Sequence, residues 1–125
     1  MKKAIATEGA PKAVGAYSQA MEAKGLIFVS GQIPLDPATG EMAEDIPDQA
    51  RQSMENIKAI LEAAGSGMNK IVKTTILLAD INDFAAVNEV YKSYFREPYP
   101  ARACYAVADI PKGAKLEIEV IATKA

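Results

Sequence analysis

The stretch PDQARQSMENIKAILEAAGSGMNKIVKTTILLAD, residues 47–80, joins a helical pattern to a strand pattern and so decides the fold class. In its first half, apolar residues recur at spacings of three and four, which predicts an amphipathic helix over residues 47–64. Pro47 suits the first turn of that helix, and Gly65 suits its carboxyl-terminal cap. The β-branched run IVKTTILLAD predicts a strand at residues 71–80. The apolar stripe of the helix is formed by Ala50, Met54, Ile57, Leu61 and Ala64.

Further strand and helix patterns lie on either side of this stretch. SQAMEAKGLIFVSGQI, residues 18–33, predicts two strands joined by a tight turn at Gly25. INDFAAVNEVYKSYFRE, residues 81–97, predicts a second helix. ARACYAVADI, residues 101–110, and KLEIEVIAT, residues 115–123, predict two closing strands joined by the turn PKGA. The order of elements predicts an α+β fold, with both helices on one face of a mixed sheet.

Alternation along the strands predicts which side chains share a face of that sheet. In LIFVSGQI, strict alternation predicts one face with Ile27, Val29, Gly31 and Ile33 and the other with Leu26, Phe28, Ser30 and Gln32. The face without helices is expected to carry Arg102, Cys104, Ala106, Glu117, Glu119 and Ile121. A half-apolar face of this kind is usually covered by another subunit, so we expect an oligomer.

The composition limits the classes of function. A chain of 125 residues is expected to form a single domain over residues 1–125. The net charge of −2 gives no electrostatic footprint for nucleic acid or for an anionic membrane. The amino-terminal segment lacks the apolar core of a secretory signal, and one cysteine cannot form an internal disulfide. We therefore expect a cytoplasmic protein.

The absence of histidine is the most informative count. Zinc sites, Ser-His-Asp triads and Cys-His dyads mostly rely on imidazole. With no histidine and only one thiol, we expect no metal site and none of the common nucleophile constellations. Any proton transfer then falls to Asp, Glu, Tyr, Lys, Cys or water.

Three residues of the closing strands are candidates for chemistry. Arg102 is able to offer a planar fork to a carboxylate, or to form a structural ion pair with Glu117 or Glu119 on a neighbouring strand. Glu117 is either a plain surface glutamate or, where a partner subunit covers it, the carboxyl group that orients or deprotonates a water. Cys104 is either a small buried hydrophobe or a nucleophile, and no base for the second role is evident.

Four more residues have both a structural and a functional interpretation. Gly31 inside a strand indicates the close approach of a ligand or of another chain. Ser30 has no base beside it, which favours a hydrogen-bonding role over a nucleophilic one. Asn88, on the apolar side of the second helix, is either a core amide or a polar contact at a site. Tyr17 is either a strand-edge aromatic or the wall of a cleft.

Six motifs in order resemble the Rid family, also called the YjgF family, over about residues 5–123. They are AVGAYSQA, FVSGQIP, RQSMENIKAILEAAG, VKTTILLADINDFAAVNEVY, PARACYAV and LEIEVIA. The resemblance implies a chorismate-mutase-like fold and a homotrimer with a central barrel and clefts between subunits. It also implies hydrolysis of 2-imino acids, derived from 2-aminoacrylate and 2-aminocrotonate, to 2-oxo acids and ammonia, without a cofactor.

The same resemblance implies a role for each site residue. Arg102 would clamp the substrate carboxylate, and Glu117 would position the attacking water. Backbone groups near Gly31 and Cys104 would hold the imine end. The remaining residues that shape the cleft would be Tyr17, Ser30, Asn88 and Ala103.

The sequence departs from the common family pattern at three positions. Ala16 stands where a proline commonly precedes the tyrosine, Ala103 replaces a frequent serine, and Tyr105 replaces a frequent valine. Two other functions stay open at this point: a regulator that binds small carboxylates without turnover, and a ribonuclease or translation inhibitor. The acidic charge balance and the absence of histidine argue against the last of these.

Overall fold

The computed structural model describes residues 1–125 and contains one six-stranded sheet and two α-helices. Short 3-10 turns precede or link several of these elements. The strands are β1 (Lys2–Ile5), β2 (Ala20–Ala23), β3 (Leu26–Gln32), β4 (Ile71–Leu78), β5 (Ala101–Ala106) and β6 (Leu116–Thr123), and the helices are α1 (Ile46–Ala63) and α2 (Phe84–Lys92).

Helix α1 begins and ends within one residue of its predicted limits, because local signals fix both ends. The Asp45 side chain caps the helix by accepting a hydrogen bond of 2.8 Å from the backbone N–H of Asp48. Gly65 follows the helix with φ of 78°, a left-handed conformation that glycine adopts without strain.

Helix α2 is shorter than the predicted segment 81–97. Its expected first turn is a 3-10 turn, Ile81–Asp83, in which the Asp80 side chain accepts a hydrogen bond from the N–H of Asn82. At the other end the helix stops at Lys92. Tyr94 and Phe95 lie beyond the helix and still pack against the core.

The sheet has the strand order β1-β2-β3-β6-β4-β5. β2 and β3 form the predicted antiparallel hairpin around Gly25. β5 returns through α2 and pairs with β4 in parallel, whereas β6 lies between β3 and β4 and is antiparallel to both. The two closing strands are therefore not neighbours, although the sequence suggested that they were.

The register of the strands fixes the face of the sheet on which each side chain lies. Ile76 of β4 is fully buried under the helices and pairs with Cys104 of β5. Arg102 and Ala106 are two residues away from Cys104 in either direction, so they share this helix side. The prediction that Arg102, Cys104 and Ala106 lie on the face without helices was therefore wrong. Parity along a strand groups side chains, but it does not say which group meets the helices.

The other face of the sheet, which we call the bare face, carries the predicted residues of β6. Glu117 and Glu119 alternate with the fully buried Leu116 and Ile118. Ile121 also lies on the bare face, opposite Phe28 of β3, whose side chain remains 42% exposed. The prediction for Glu117, Glu119 and Ile121 is confirmed.

The two helices and the helix side of the sheet enclose one cluster of 21 buried apolar residues. Every buried side-chain nitrogen and oxygen has a hydrogen-bond partner. Neither helix is both long enough and apolar enough to cross a membrane.

Candidate active site

A β-bulge in β3 turns Ser30 and Gly31 towards the bare face. Val29 pairs with Val120 and Gln32 pairs with Ile118, so β3 uses three steps where β6 uses two. Val29 and Gln32 are both buried on the helix side. Strict alternation therefore gave the wrong face for Gly31 and Gln32, because the inserted residue reverses the parity.

The bulge brings the backbone of Gly31 against the side chain of Glu117. A Cβ atom placed on Gly31 would lie 2.8 Å from Cδ and 3.1 Å from Cγ of Glu117, closer than ordinary carbon contacts. Any side chain at position 31 would therefore displace the Glu117 carboxyl group, and glycine avoids this. The sequence indicated a close approach at Gly31, but not its partner.

The surroundings of Glu117 favour its neutral form. Burial of the carboxyl group raises its pKa, and the nearby charge of Glu119 raises that pKa further. A carboxyl group that titrates above its ordinary range is better placed to exchange a proton with a reacting molecule near neutral pH.

Ser30 holds the loop that carries Tyr17. The Ser30 hydroxyl donates a hydrogen bond of 2.6 Å to the carbonyl of Ser18, and its backbone N–H donates one of 2.9 Å to the carbonyl of Gln19. The Ser30 hydroxyl is therefore engaged in a hydrogen bond to the backbone of this loop. Tyr17 is 52% exposed and lines a groove of about 560 Å³ together with Ser30, Gly31 and Glu117. We call these four residues the glutamate half-site.

Arg102 lies on the opposite side of the sheet, against α2. Its Nη1 donates a hydrogen bond of 2.7 Å to Oδ1 of Asn88. Its guanidinium carbon lies 5.2 Å from the centre of the Phe84 ring and 5.0 Å from that of the Tyr91 ring, within cation–π range. The alternative of an ion pair with a glutamate of β6 was wrong, because β4 separates the two strands.

Asn88 is therefore a polar contact of Arg102 and not an isolated core amide. Asn88, Tyr91 and Arg102 line one groove, with Lys92, Tyr99 and Pro100 at its edges. We call Asn88, Tyr91 and Arg102 the arginine half-site. The N–H donors of the Arg102 guanidinium form a planar fork that is suited to a planar anion such as a carboxylate.

Cys104 and Ala103 contribute little side-chain chemistry. Burial raises the pKa of the Cys104 thiol, while the positive charge of Arg102 acts in the opposite direction. The thiol form therefore dominates, and the thiolate needed by a nucleophile is scarce. Ala103 lies on the bare face, level with Thr75. Since β5 is an edge strand, its outward backbone groups have no partner in the sheet and are available to a ligand.

The two half-sites are too far apart to act together within one chain. Glu117 and Tyr105 both pair with Leu77, and Arg102 lies three residues before Tyr105. Strand spacing and rise then put the Cα atoms of Arg102 and Glu117 about 14 Å apart, with side chains on opposite faces. A small molecule that contacts both residues needs each from a different copy of the chain.

Two residues of this region were not singled out from the sequence. Tyr91 falls within the predicted second helix and was given no role, although its spacing from Asn88 places it beside any group that Asn88 binds. Gln19 is buried, and its amide donates to the carbonyls of Thr7 and Pro11 and accepts from the N–H of Thr7. No sequence pattern marks such an amide, because its partners are all backbone groups of a loop.

Comparisons with known proteins cover nearly the whole chain. The family model described as endoribonuclease L-PSP matches residues 7–124. The chain is 55% identical to a RutC family protein from Pyrococcus horikoshii and 53% identical to 2-iminobutanoate/2-iminopropanoate deaminase from Salmonella typhimurium, with 99% of each chain covered. It is also similar to the crystal structure of E. coli TdcF with bound serine, with a TM-score of 0.94, 50% identity, and coverage of 98% of this chain and 99% of that one. The resemblance is confirmed, and the chain belongs to the Rid (YjgF) family.

Proposed function

We propose that this chain is a 2-iminobutanoate/2-iminopropanoate deaminase, which hydrolyses 2-imino acids to 2-oxo acids and ammonia. The observation that carries the proposal is the guanidinium of Arg102, held by Asn88 and two aromatic rings at a groove suited to a carboxylate. Relatives from Salmonella and E. coli, 53% and 51% identical, bear the name of this activity. The serine bound to TdcF supports the choice of ligand, since serine is a small carboxylate with nitrogen on the adjacent carbon.

The proposed reaction assigns one task to each half-site. Arg102 binds the carboxylate of the imino acid, and backbone groups near Gly31 and Cys104 hold its protonated nitrogen end. Glu117 accepts a proton from a water molecule while the water oxygen bonds to the C=N carbon, which gives a tetrahedral amino alcohol. Glu117 then returns that proton to nitrogen. As the C–N bond breaks, the hydroxyl proton passes to Glu117, the carbonyl of the 2-oxo acid forms and ammonia leaves. The ammonia takes up the proton from Glu117 as ammonium, which restores the carboxylate. Tyr17 forms a wall of the cleft.

The proposed reaction requires little from the protein beyond holding the imine and the water in the right positions. A protonated imine is already electrophilic, so binding and orienting it beside one water supplies much of the acceleration. No metal or organic cofactor enters the proposed steps. The substrates would come from pyridoxal-phosphate-dependent dehydratases acting on serine and threonine. We accordingly propose a cytoplasmic location and a small-molecule partner. The net charge of −2 supports the proposal that no nucleic acid is bound.

We further propose a homotrimer in which the sheets form a central barrel and each active site lies between two subunits. The separation of the two half-sites supports this arrangement, because a second copy is needed to bring Arg102 and Glu117 to one substrate. The bare face supports it as well, since its apolar side chains require a cover. They include Met21, Leu26, Phe28, Leu77 and Ile121.

The test generates 2-aminoacrylate with a serine dehydratase and follows pyruvate release with and without the protein. We expect the wild type to accelerate release, and Arg102→Ala to lower kcat/KM roughly 100-fold, as charged hydrogen bonds to the carboxylate are lost. Arg51→Ala is the matched control, because that exposed arginine pairs only with Asp48 on α1. A wild-type protein without acceleration would refute the proposal.

The serine bound to TdcF also favours a second candidate, a regulator that binds small carboxylates without turnover. Calorimetric binding of a 2-oxo acid with no product formed from 2-aminoacrylate would support that function. The description of the family model raises ribonuclease activity as well. The acidic charge balance and the absence of histidine argue against ribonuclease activity. RNA cleavage by the purified protein that disappears in Arg102→Ala would nevertheless support it.

A further inference from the structure

Three residues of α2 form a cradle for the guanidinium of Arg102. Phe84, Asn88 and Tyr91 follow one another at spacings of four and three, which places them on one stripe of the helix. The guanidinium carbon lies 5.2 Å from the centre of the Phe84 ring and 5.0 Å from that of the Tyr91 ring. Since Nη1 also donates to Oδ1 of Asn88, all three residues of the stripe contact the guanidinium.

The Tyr91 ring is itself fixed from below by Thr74 of β4. The hydroxyls of Tyr91 and Thr74 are 2.9 Å apart and hydrogen-bonded, and both residues are buried, at 3% and 0% exposure. The Tyr91 ring also packs against that of Phe95, with the centroids 4.8 Å apart. Since the Tyr91 hydroxyl is engaged below the surface, it is not available to a ligand in the groove.

We propose that Thr74 and Tyr91 are positioning residues for the reaction: their buried hydrogen bond fixes the ring that holds Arg102 in its carboxylate-binding orientation. The inference rests on the proposed function in assigning a carboxylate to Arg102. A guanidinium held in place before the ligand arrives loses less freedom on binding, and this strengthens ground-state and transition-state binding alike. Loss of the anchor therefore raises KM and leaves kcat nearly unchanged.

The experiment compares Tyr91→Phe, Thr74→Val and the double variant. Each single variant leaves one buried hydroxyl without a partner and lowers Tm. The double variant removes both hydroxyls, so that Tm recovers towards the wild-type value. We expect KM for the imino acid, and Kd for 2-oxobutanoate by calorimetry, to rise roughly three- to tenfold in all three variants. A merely structural role predicts that KM recovers together with Tm in the double variant.

Tyr94→Phe is the matched control, because the Tyr94 hydroxyl donates a hydrogen bond of 2.7 Å to Glu55, away from Arg102. Its KM and Kd are expected to equal those of the wild type. A double variant with wild-type KM and Kd would overturn the inference while the proposed function stood. An inactive wild type whose affinity for 2-oxobutanoate still weakens in the double variant would remove the deaminase proposal and keep the positioning role.

Discussion

Replacement of Gly31 by alanine tests whether catalysis depends on the position of the Glu117 carboxyl group. The new Cβ would lie 2.8 Å from Cδ of Glu117, so the carboxyl group must retreat by about 1 Å to restore ordinary contact. Gly31 does not have a positive φ, so alanine is compatible with its backbone, and the free energy of unfolding should change by less than about 1 kcal/mol. A misplacement of about 1 Å at a reacting group lowers the rate roughly 100-fold. We therefore expect a folded protein with kcat about 100-fold lower.

The dehydratase-coupled assay and thermal unfolding measure these two effects separately. Gly67→Ala is the control, since Gly67 likewise lacks a positive φ, with φ of −177°, and lies outside both half-sites. Gly31→Ala should cause no further loss of kcat in a Glu117→Ala background, because the displaced group is then absent. A folded Gly31→Ala variant with wild-type kcat would refute the reasoning.

Three further predictions concern the groups around the half-sites. Burial, and then the charge of Glu119, raise the pKa of Glu117, so its carboxylate forms at higher pH than that of an ordinary glutamate. We therefore expect kcat/KM to rise with pH as Glu117 loses its proton, and Glu119→Gln to move this rise to lower pH. A rise that stays at the same pH in Glu119→Gln would contradict the role assigned to Glu117. Cys104→Ala should keep kcat/KM within about twofold of the wild type, since the thiolate is scarce, whereas a large loss would indicate covalent catalysis. Phe28→Glu places a charge on the bare face and should reduce the mass measured by light scattering from three chains to one, and an unchanged mass would contradict the proposed barrel.

The elements of this fold could be predicted where local signals decide them. The limits of α1 follow from the Asp45 cap, the apolar stripe and Gly65, all of which lie within the helix or next to it. The hairpin around Gly25 is equally local. The start of α2 could not be predicted in the same way, because the Asp80 side chain competes with the helix by capping a 3-10 turn.

The faces of the strands depend on pairings that are distant in sequence. Arg102 lies on the helix side because β5 returns parallel to β4 through α2, and nothing within ARACYA records that choice. Gly31 lies on the bare face because of a bulge against β6, more than 80 residues away. Both errors concern nonlocal geometry, which the chemical types of the candidate residues do not reveal.

In the candidate site as well, the residue types can be read from the sequence, but their placement depends on strand pairings that are distant in sequence. The sequence identified Arg102 and Glu117 as the charged pair but placed them on one face, where a single chain would bring them together. The structure puts them on opposite faces, and this makes a second copy a requirement of the proposed chemistry. Tyr91 escaped notice because an aromatic residue on an apolar stripe is usually core, and only the fold places it beside a guanidinium.

The most direct test of the account mixes two inactive variants in one oligomer. Arg102→Ala and Glu117→Ala chains with different tags are co-expressed, and oligomers that carry both tags are purified. If each site takes Arg102 from one subunit and Glu117 from its neighbour, every mixed trimer contains one intact site out of three, and activity returns to about one third of the wild type. Purified mixed oligomers as inactive as the two parent proteins would contradict the account.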